Sequence, residues 1–353
     1  MTDTSLPTID ELLDRAELLG VEEEAFPNDG WSGATLSRLH GWHGDLYILK
    51  RDSLATDWIA RATLDGPILR EAWFAEHGPP LPAPLRAPYF GVSQDGTTFG
   101  MLMPDLSSVL FDWDKPITTE QLERVLGGLA EMHSYPWDVS GELAADAPWC
   151  PLRERISLIC RSSLERPGPT RDAVADRLLP GWDAWDRLAT PGARDVIASL
   201  SDDPKPLIEV LASQRATLIH GDLKLANVGI EADGSIVMVD WQMVMLAPIA
   251  VELGWFLVSN VASLPLPADK VIDRYRSKLA WAHLDAEEDG RWVGGANLDD
   301  DGVAAAILVG LLLRGWRKGM DAEAGITLAS GVSAADDLAW WCERAVEAAD
   351  RLL

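Results

Sequence analysis

The sequence predicts an α+β protein of two lobes, a small sheet-rich lobe over residues 1–103 and a large, mainly helical lobe over residues 104–353. Three observations carry this. Strand-like runs bounded by turn residues crowd the first hundred positions. Helical periodicity dominates from Thr119 onward. At 353 residues, 47% hydrophobic and 24% charged, the chain is long enough for two cores and too apolar for long disorder.

In order, Ile9 to Leu19 reads as a helix, with Asp10 and Glu11 near its start where the helix dipole favours acids. Asn28-Asp-Gly-Trp-Ser-Gly33 is turn-rich, and two strands follow, Ala34 to Leu39 and Leu46 to Lys50. Residues 53–78 read as helix broken at Gly66-Pro67, and Pro79 to Pro88 as a linker within the same lobe. Tyr89 to Val92 and Thr97 to Met103 form a hairpin around Asp95-Gly96, and the hinge falls at residues 103–106. Gln121 to His133 is an amphipathic helix with Leu122, Val125, Leu126, Leu129 and Met132 on one stripe. Further helices fit 151–165, 171–188, 206–214, 249–261, 269–281, 302–319 and 334–352, with short strands at Thr217 to Ile219 and Ile236 to Val239.

Composition excludes several functions. Cys150, Cys160 and Cys342 form no Cys-x-x-Cys pair, which fits reduced thiols rather than a disulfide framework. The amino terminus carries acids where a signal peptide carries Lys or Arg, so a cytoplasmic location is expected. The longest uncharged apolar run, Val303 to Leu313, has eleven residues against the ~20 of a membrane span. A net charge of −26 without Lys/Arg clusters argues against nucleic acid. The surplus acid would instead steer a cationic substrate inward.

Chemistry concentrates in Leu218-Ile-His-Gly-Asp-Leu-Lys-Leu-Ala-Asn-Val-Gly229, with a second acid, Asp240, thirteen residues past Asn227. An Asp and an Asn five apart, plus an Asp beyond a hairpin, suit phosphoryl transfer. One carboxylate orients the acceptor hydroxyl or takes its proton, and the hard oxygens of the other two hold Mg²⁺ against the phosphates. Lys224 adds a cation able to neutralise charge on the transferred group.

These residues resemble the aminoglycoside phosphotransferase family, the small-molecule branch of the protein kinase-like fold. The resemblance rests on His-Gly-Asp-x-x-x-x-Asn at 220–227 and Val239-Asp-Trp-Gln242. It extends to Leu129-Ala-Glu-Met-His133 with Pro136-Trp137, and to Val251-Glu-Leu-Gly-Trp-Phe-Leu257. It implies Asp222 as base, Lys224 on the transferred phosphate, Asn227 and Asp240 as magnesium ligands, and ATP (or GTP) as donor. It further implies that Lys50, on its strand, reaches the α- and β-phosphates, held by Glu71 with Glu76 as second candidate. By the same resemblance Gly30-Trp-Ser-Gly33, which alone reads only as a turn, corresponds to a reduced phosphate loop with Ser32 and Gly33 as the candidate contacts. In the hinge Met101-Leu-Met-Pro-Asp-Leu106, Met103, Pro104 and Leu106 face adenine, through the Pro104 carbonyl and the Leu106 N–H. His220 is a structural brace.

The acceptor is a small hydroxylated molecule, with aminoglycoside-like antibiotic, amino sugar and choline-like alcohol all open. One or two of the sixteen Trp, and the acidic stretches Asp285 to Asp289 and Asp299 to Asp301, are candidates for contacting it. A protein acceptor is disfavoured, because only eight residues separate Gln242 from Val251, too few for an activation loop. A nucleotide-binding regulator without catalysis is the reading from another class.

Overall fold

A computed structural model describes residues 5–27, 30–139, 141, 147–288 and 298–353, with backbone only for 283–288. The small lobe holds α1 (Ile9–Arg15), β1 (Glu22–Phe26), β2 (Thr35–His40), β3 (Leu46–Asp52), α2 (Trp58–Ala62), α3 (Arg70–His77), β4 (Leu85–Arg86), β5 (Gly91–Asp95) and β6 (Thr98–Pro104). Five of its strands form an antiparallel sheet in the order β1-β2-β3-β6-β5.

Strand alternation decides which side of this sheet each residue serves. Leu39, Leu49 and Leu102 pack with Leu12, Leu13 and Leu18 of the amino-terminal segment. On the opposite face Ile48, Met101 and Met103 pack with Leu69 and Ala72 around α3. Lys50 shares the parity of Ile48, so its side chain enters the α3 side. That parity, set by the sequence, is what aims the lysine at Glu71.

The large lobe comprises α4 (Thr119–Ser134), α5 (Leu152–Ser157), α6 (Arg161–Glu165), α7 (Pro169–Leu188), α8 (Pro191–Asp202), α9 (Lys205–Ser213), β7 (Thr217–Ile219), β8 (Val228–Ile230), β9 (Ile236–Met238), β10 (Met245–Ala247), α10 (Ile249–Ser259), α11 (Ala268–Glu288), α12 (Asp300–Glu323) and α13 (Ala334–Leu352). Its axis is α12, buried along most of its length and packed on α7, α10 and α13. A helix apolar on nearly every side is a core helix, and here the backbones touch. A Cβ on Gly254 would lie 2.4 Å from the Ala306 carbonyl, so α10 and α12 cross at glycine. Among the described residues no helix is long and apolar enough to cross a membrane.

The structure departs from the sequence expectations in several places. The segment Pro79 to Pro88 is not confined to the small lobe, since Leu85 and Arg86 pair in parallel with Ile236 and Val237 of β9. Arg86 also reaches Glu231 at 2.6 Å, so this stretch joins the hairpin carrying Asp240. Residues 151–165 form two short helices, α5 and α6, rather than one. The first helix ends at Arg15, and Glu17 turns into positive φ (57°). Strand β1 and helix α8 were not expected. Asn28, Asp289 and Trp292 lie outside the described residues, as do the side chains of 285–288.

Candidate active site

The loop after β7 is built around one glycine. Gly221 has φ +79°, and a Cβ there would sit 1.9 Å from the Met243 carbonyl oxygen. Neither the left-handed conformation nor the backbone contact tolerates a side chain. Gly221→Ala is therefore expected to cost at least about 2 kcal/mol, or roughly 3 °C or more in melting temperature. An unchanged melting curve would show that the loop accommodates the methyl.

Around Gly221 the loop is pinned from both sides. The Glu252 carboxylate, on α10, accepts the N–H groups of His220 (2.6 Å) and Gly221 (3.2 Å). Burial pushes the Glu252 carboxyl up to about 7, against the pull of those bonds and of Arg155. The Arg155 guanidinium donates to the Gly221 carbonyl at 2.5 Å. His220 Nδ1 accepts the Asp222 N–H at 3.2 Å, so Nε2 carries the proton and donates to the Val239 carbonyl at 2.9 Å. Burial holds this imidazole below its usual range, hence neutral. His220 thus ties the Asp222 loop to the strand end before Asp240, the bracing role expected of it.

Six of the expected residues converge. Lys50 Nζ donates to Glu71 Oε2 at 2.5 Å and to Asp240 Oδ1 at 2.7 Å. Lys224 Nζ donates to Asp222 Oδ2 at 3.1 Å and stands 3.9 Å from Asp240 Oδ2. Asn227 Nδ2 donates to the Asp222 carbonyl at 3.0 Å, which turns its amide oxygen away from that contact. Among the described residues Asp222 Oδ1 has no hydrogen-bond donor, whereas Oδ2 takes Lys224 and, at 3.4 Å, Asn227. Asp240 itself adopts φ 68°, a strained conformation for a residue with a side chain.

The charges are mutually dependent. Burial works against the Lys50 ammonium, but Asp240 and Glu71 outweigh it and hold its proton well above the usual lysine range. Burial likewise opposes the Asp240 carboxylate, but Lys50 and Lys224 prevail and hold it below its ordinary value. At Glu71 burial wins and the carboxyl is raised, although Lys50 and Tyr89 both bond to it.

Helix α3 clamps this arrangement. Arg70 donates to the Gln242 carbonyl at 2.6 Å, and Phe74 stacks on Trp241 with centroids 4.2 Å apart. Arg70, Glu71 and Phe74 therefore fix the Asp240-Trp241-Gln242 turn to the small lobe. Sequence reasoning missed Arg70, Tyr89, Arg155 and Glu252. For Glu252 a signal existed, a lone acid inside the apolar run from Ile249 to Val258.

The remaining expected residues are placed as follows. Met103 and Pro104 end β6, paired with Ile48 and Tyr47. The Leu106 carbonyl accepts from Val109 and Leu110, and among the described residues its N–H makes no hydrogen bond. Ser32 is buried, its carbonyl accepting the Trp58 N–H, and Gly33 (φ +105°) packs on the Thr56 carbonyl. These two precede β2 and pack against the turn before α2, and no hydrogen bond or ion pair joins them to the ionic cluster among the described residues. Asp299 caps α12 by accepting the Gly302 N–H, Asp300 pairs with Arg276, and Asp301 with Arg351. That acidic stretch is engaged within the protein.

A model of the phosphotransferase enzyme family matches residues 25–287. No curated relative matches the chain. Among solved structures, a spectinomycin phosphotransferase in complex with ADP and spectinomycin is 12% identical, covering 94% of this chain and 93% of its own, with a TM-score of 0.43. Choline kinase from Streptococcus pneumoniae is 13% identical over 97% and 98%, with a TM-score of 0.49. An amicoumacin kinase in complex with AMP-PNP and Ca²⁺ is 15% identical over 97% and 93%, with a TM-score of 0.46. Likenesses this distant carry no conclusion about what the chain acts on.

Proposed function

The chain belongs to the phosphotransferase enzyme family, and from that premise we propose that it transfers the γ-phosphoryl group of ATP to a hydroxyl of a small molecule. The observation that carries this reading is the convergence of Lys50, Asp222, Lys224, Asn227 and Asp240 through the contacts described above.

Each residue then has a role that its geometry permits. Asp222 Oδ1, free of protein donors, accepts the acceptor hydroxyl. The acceptor oxygen forms its bond to the γ-phosphorus in line as the bond to the β,γ-bridging oxygen breaks, ADP departs, and the hydroxyl proton passes to Asp222. Lys224, between Asp222 and Asp240, stabilises charge on the γ-phosphoryl oxygens. Lys50, kept charged by Glu71 and Asp240, binds the α- and β-phosphates. The Pro104 carbonyl and the unspent Leu106 N–H suit the adenine edge. Residues 1–103 thus supply the nucleotide side, and residues 104–353 the catalytic loop and acceptor side.

Asn227 and Asp240 offer hard oxygens suited to Mg²⁺. Among the described residues no group of three His, Cys, Asp or Glu could hold a metal, which fits an ion whose shell is completed by nucleotide phosphates and water. Such an ion supplies charge neutralisation at the phosphates.

The test is ADP formation with a panel of hydroxylated compounds against a background without acceptor. Release that depends on an acceptor and stops when Mg²⁺ is chelated is the expected result. Firm Mg-ATP binding with silence across the panel would favour a non-catalytic regulator.

A further inference from the structure

Two guanidinium groups beside the Asp222 loop have no acidic partner among the described residues. By contrast Arg38, Arg51, Arg86, Arg161, Arg276 and Arg351, all more exposed than Arg155, each pair with a carboxylate. Arg155 is 1% exposed and spends its Nε on the Gly221 carbonyl, yet one of its terminal nitrogens is buried without a partner. Arg314, half-buried, has a buried Nε without a partner and, among the described residues, forms no hydrogen bond or ion pair.

Both groups are gathered by one indole. The guanidinium carbon of Arg155 lies 4.5 Å from the Trp255 ring centroid and that of Arg314 lies 5.4 Å from it. Arg314 is also 5.0 Å from the Trp316 centroid. A guanidinium stacked on an aromatic face keeps its N–H edge available for a planar anion. The backbone is adapted to this position, because α12 breaks its helical geometry at Arg314 alone (φ −136°, ψ 24°). Both arginines feel the charge of Asp222. Arg155 bonds the residue next to Asp222 and Arg314 shares its indole, which sets both beside the Asp222 loop.

An unpaired buried guanidinium N–H is costly, on the order of 1–3 kcal/mol. Two at one place, neither relieved by an acid among the described residues, indicate a partner that arrives from outside. Resting on the phosphotransferase reading above, we propose that the acceptor carries an anionic oxygen group, a carboxylate or a phosphate, besides the hydroxyl that is phosphorylated. Arg314, with Arg155 behind it, binds that anion edge-on against Trp255. The same cations, with Lys224, disfavour an amine-bearing acceptor, so the local field opposes the global charge of −26.

The experiment measures ADP formation and, in the presence of Mg-ADP, calorimetric binding for matched compounds: a hexose, its hexosamine, its hexuronic acid and its sugar phosphate, with the corresponding polyol series. At least one anionic member is expected to bind and turn over best, the acid and phosphate arms telling carboxylate from phosphate. Arg314→Met should lower kcat/KM for that member about 10- to 100-fold, equivalent to ~1.4–2.7 kcal/mol. Arg314→Lys should recover part of the loss. Unchanged Mg-ATP affinity in both variants shows that they are folded. Preference for the neutral or amino compound, a preference for the anion that Arg314→Met leaves intact, or no binding by any anionic member overturns the inference. In the first of these the phosphotransferase reading stands, whereas absence of Mg-ATP binding by the wild type sinks that reading itself.

Discussion

Asp222→Asn lowers acceptor-dependent ADP formation by about 10²- to 10⁴-fold, the range spanned by loss of a positioned general base, while Mg-ATP affinity stays close to wild type. The asymmetry follows from which atoms Asp222 touches. Its Oδ2 is engaged by Lys224 and Asn227, and its Oδ1 has no donor among the described residues. An amide keeps the shape and can still accept from Lys224, but it cannot take a proton at the position facing the acceptor. The loop is held independently of that carboxylate, through Glu252, Arg155 and the His220 bridge. Nucleotide contacts assigned to Lys50 and the hinge are likewise untouched. Steady-state ADP release measured beside nucleotide titration separates the two effects. Retained turnover removes Asp222 from the chemistry, whereas parallel loss of nucleotide affinity assigns it to donor binding.

What was legible beforehand was what lies within a short stretch of chain. The run from His220 to Asn227, Asp240 at its spacing, and Lys50 on an alternating strand are local patterns, and the structure brings them together. Glu71 was reachable because α3 follows the strand closely. Strand β1 was hidden because Glu22, Glu23 and Glu24 have low strand propensity. It is held at the sheet edge by ion pairs of Arg51 with Glu23 (2.7 Å) and Arg38 with Glu24 (3.2 Å), partners visible only after folding. Strands β8 and β10, three residues each, are too short to show a period. The largest omission concerns side chains whose role depends on distant contacts. Arg70 finds Gln242 across 172 positions, Arg155 finds Gly221 across 66, and Arg314 meets Trp255 only because α10 and α12 cross. In the sequence Arg314 is only the charge that ends an apolar run. The phosphate-loop assignment at Ser32 and Gly33 came from resemblance, and here both residues pack on the turn before α2.

Lys50→Met is expected to destabilise the fold by about 3–5 kcal/mol near neutral pH, because removing one member of a buried ion pair strands the other charge, and to abolish tight Mg-ATP binding. Two carboxylates are stranded here, since Glu71 and Asp240 both bond to Lys50 and the lysine is 7% exposed. Lys224, 3.9 Å from Asp240, relieves part of the loss, which favours the lower end of that range. The pH dependence carries the distinctive sign. In the wild type Asp240 is held below its ordinary value of 3.8, so its contribution is present above that value and is lost only as pH falls further. Lys50 is held above its ordinary 10.5, so its contribution is complete throughout the acid and neutral range. Without the ammonium, the desolvation already acting on both carboxylates is opposed chiefly by Lys224 and a long Gln242 contact at Asp240 and by Tyr89 at Glu71, and both carboxyl groups are expected to rise. A raised acid costs stability progressively as pH climbs from its unfolded value through its folded one. The deficit of the variant should therefore be small near pH 4 and grow toward pH 8, reaching roughly 4–7 °C in melting temperature. Thermal unfolding of both proteins across that range reads the difference directly. A deficit independent of pH would mean that Lys50 stabilises through packing of its alkyl chain, and that the three charges do not form the coupled unit on which nucleotide binding is here taken to depend.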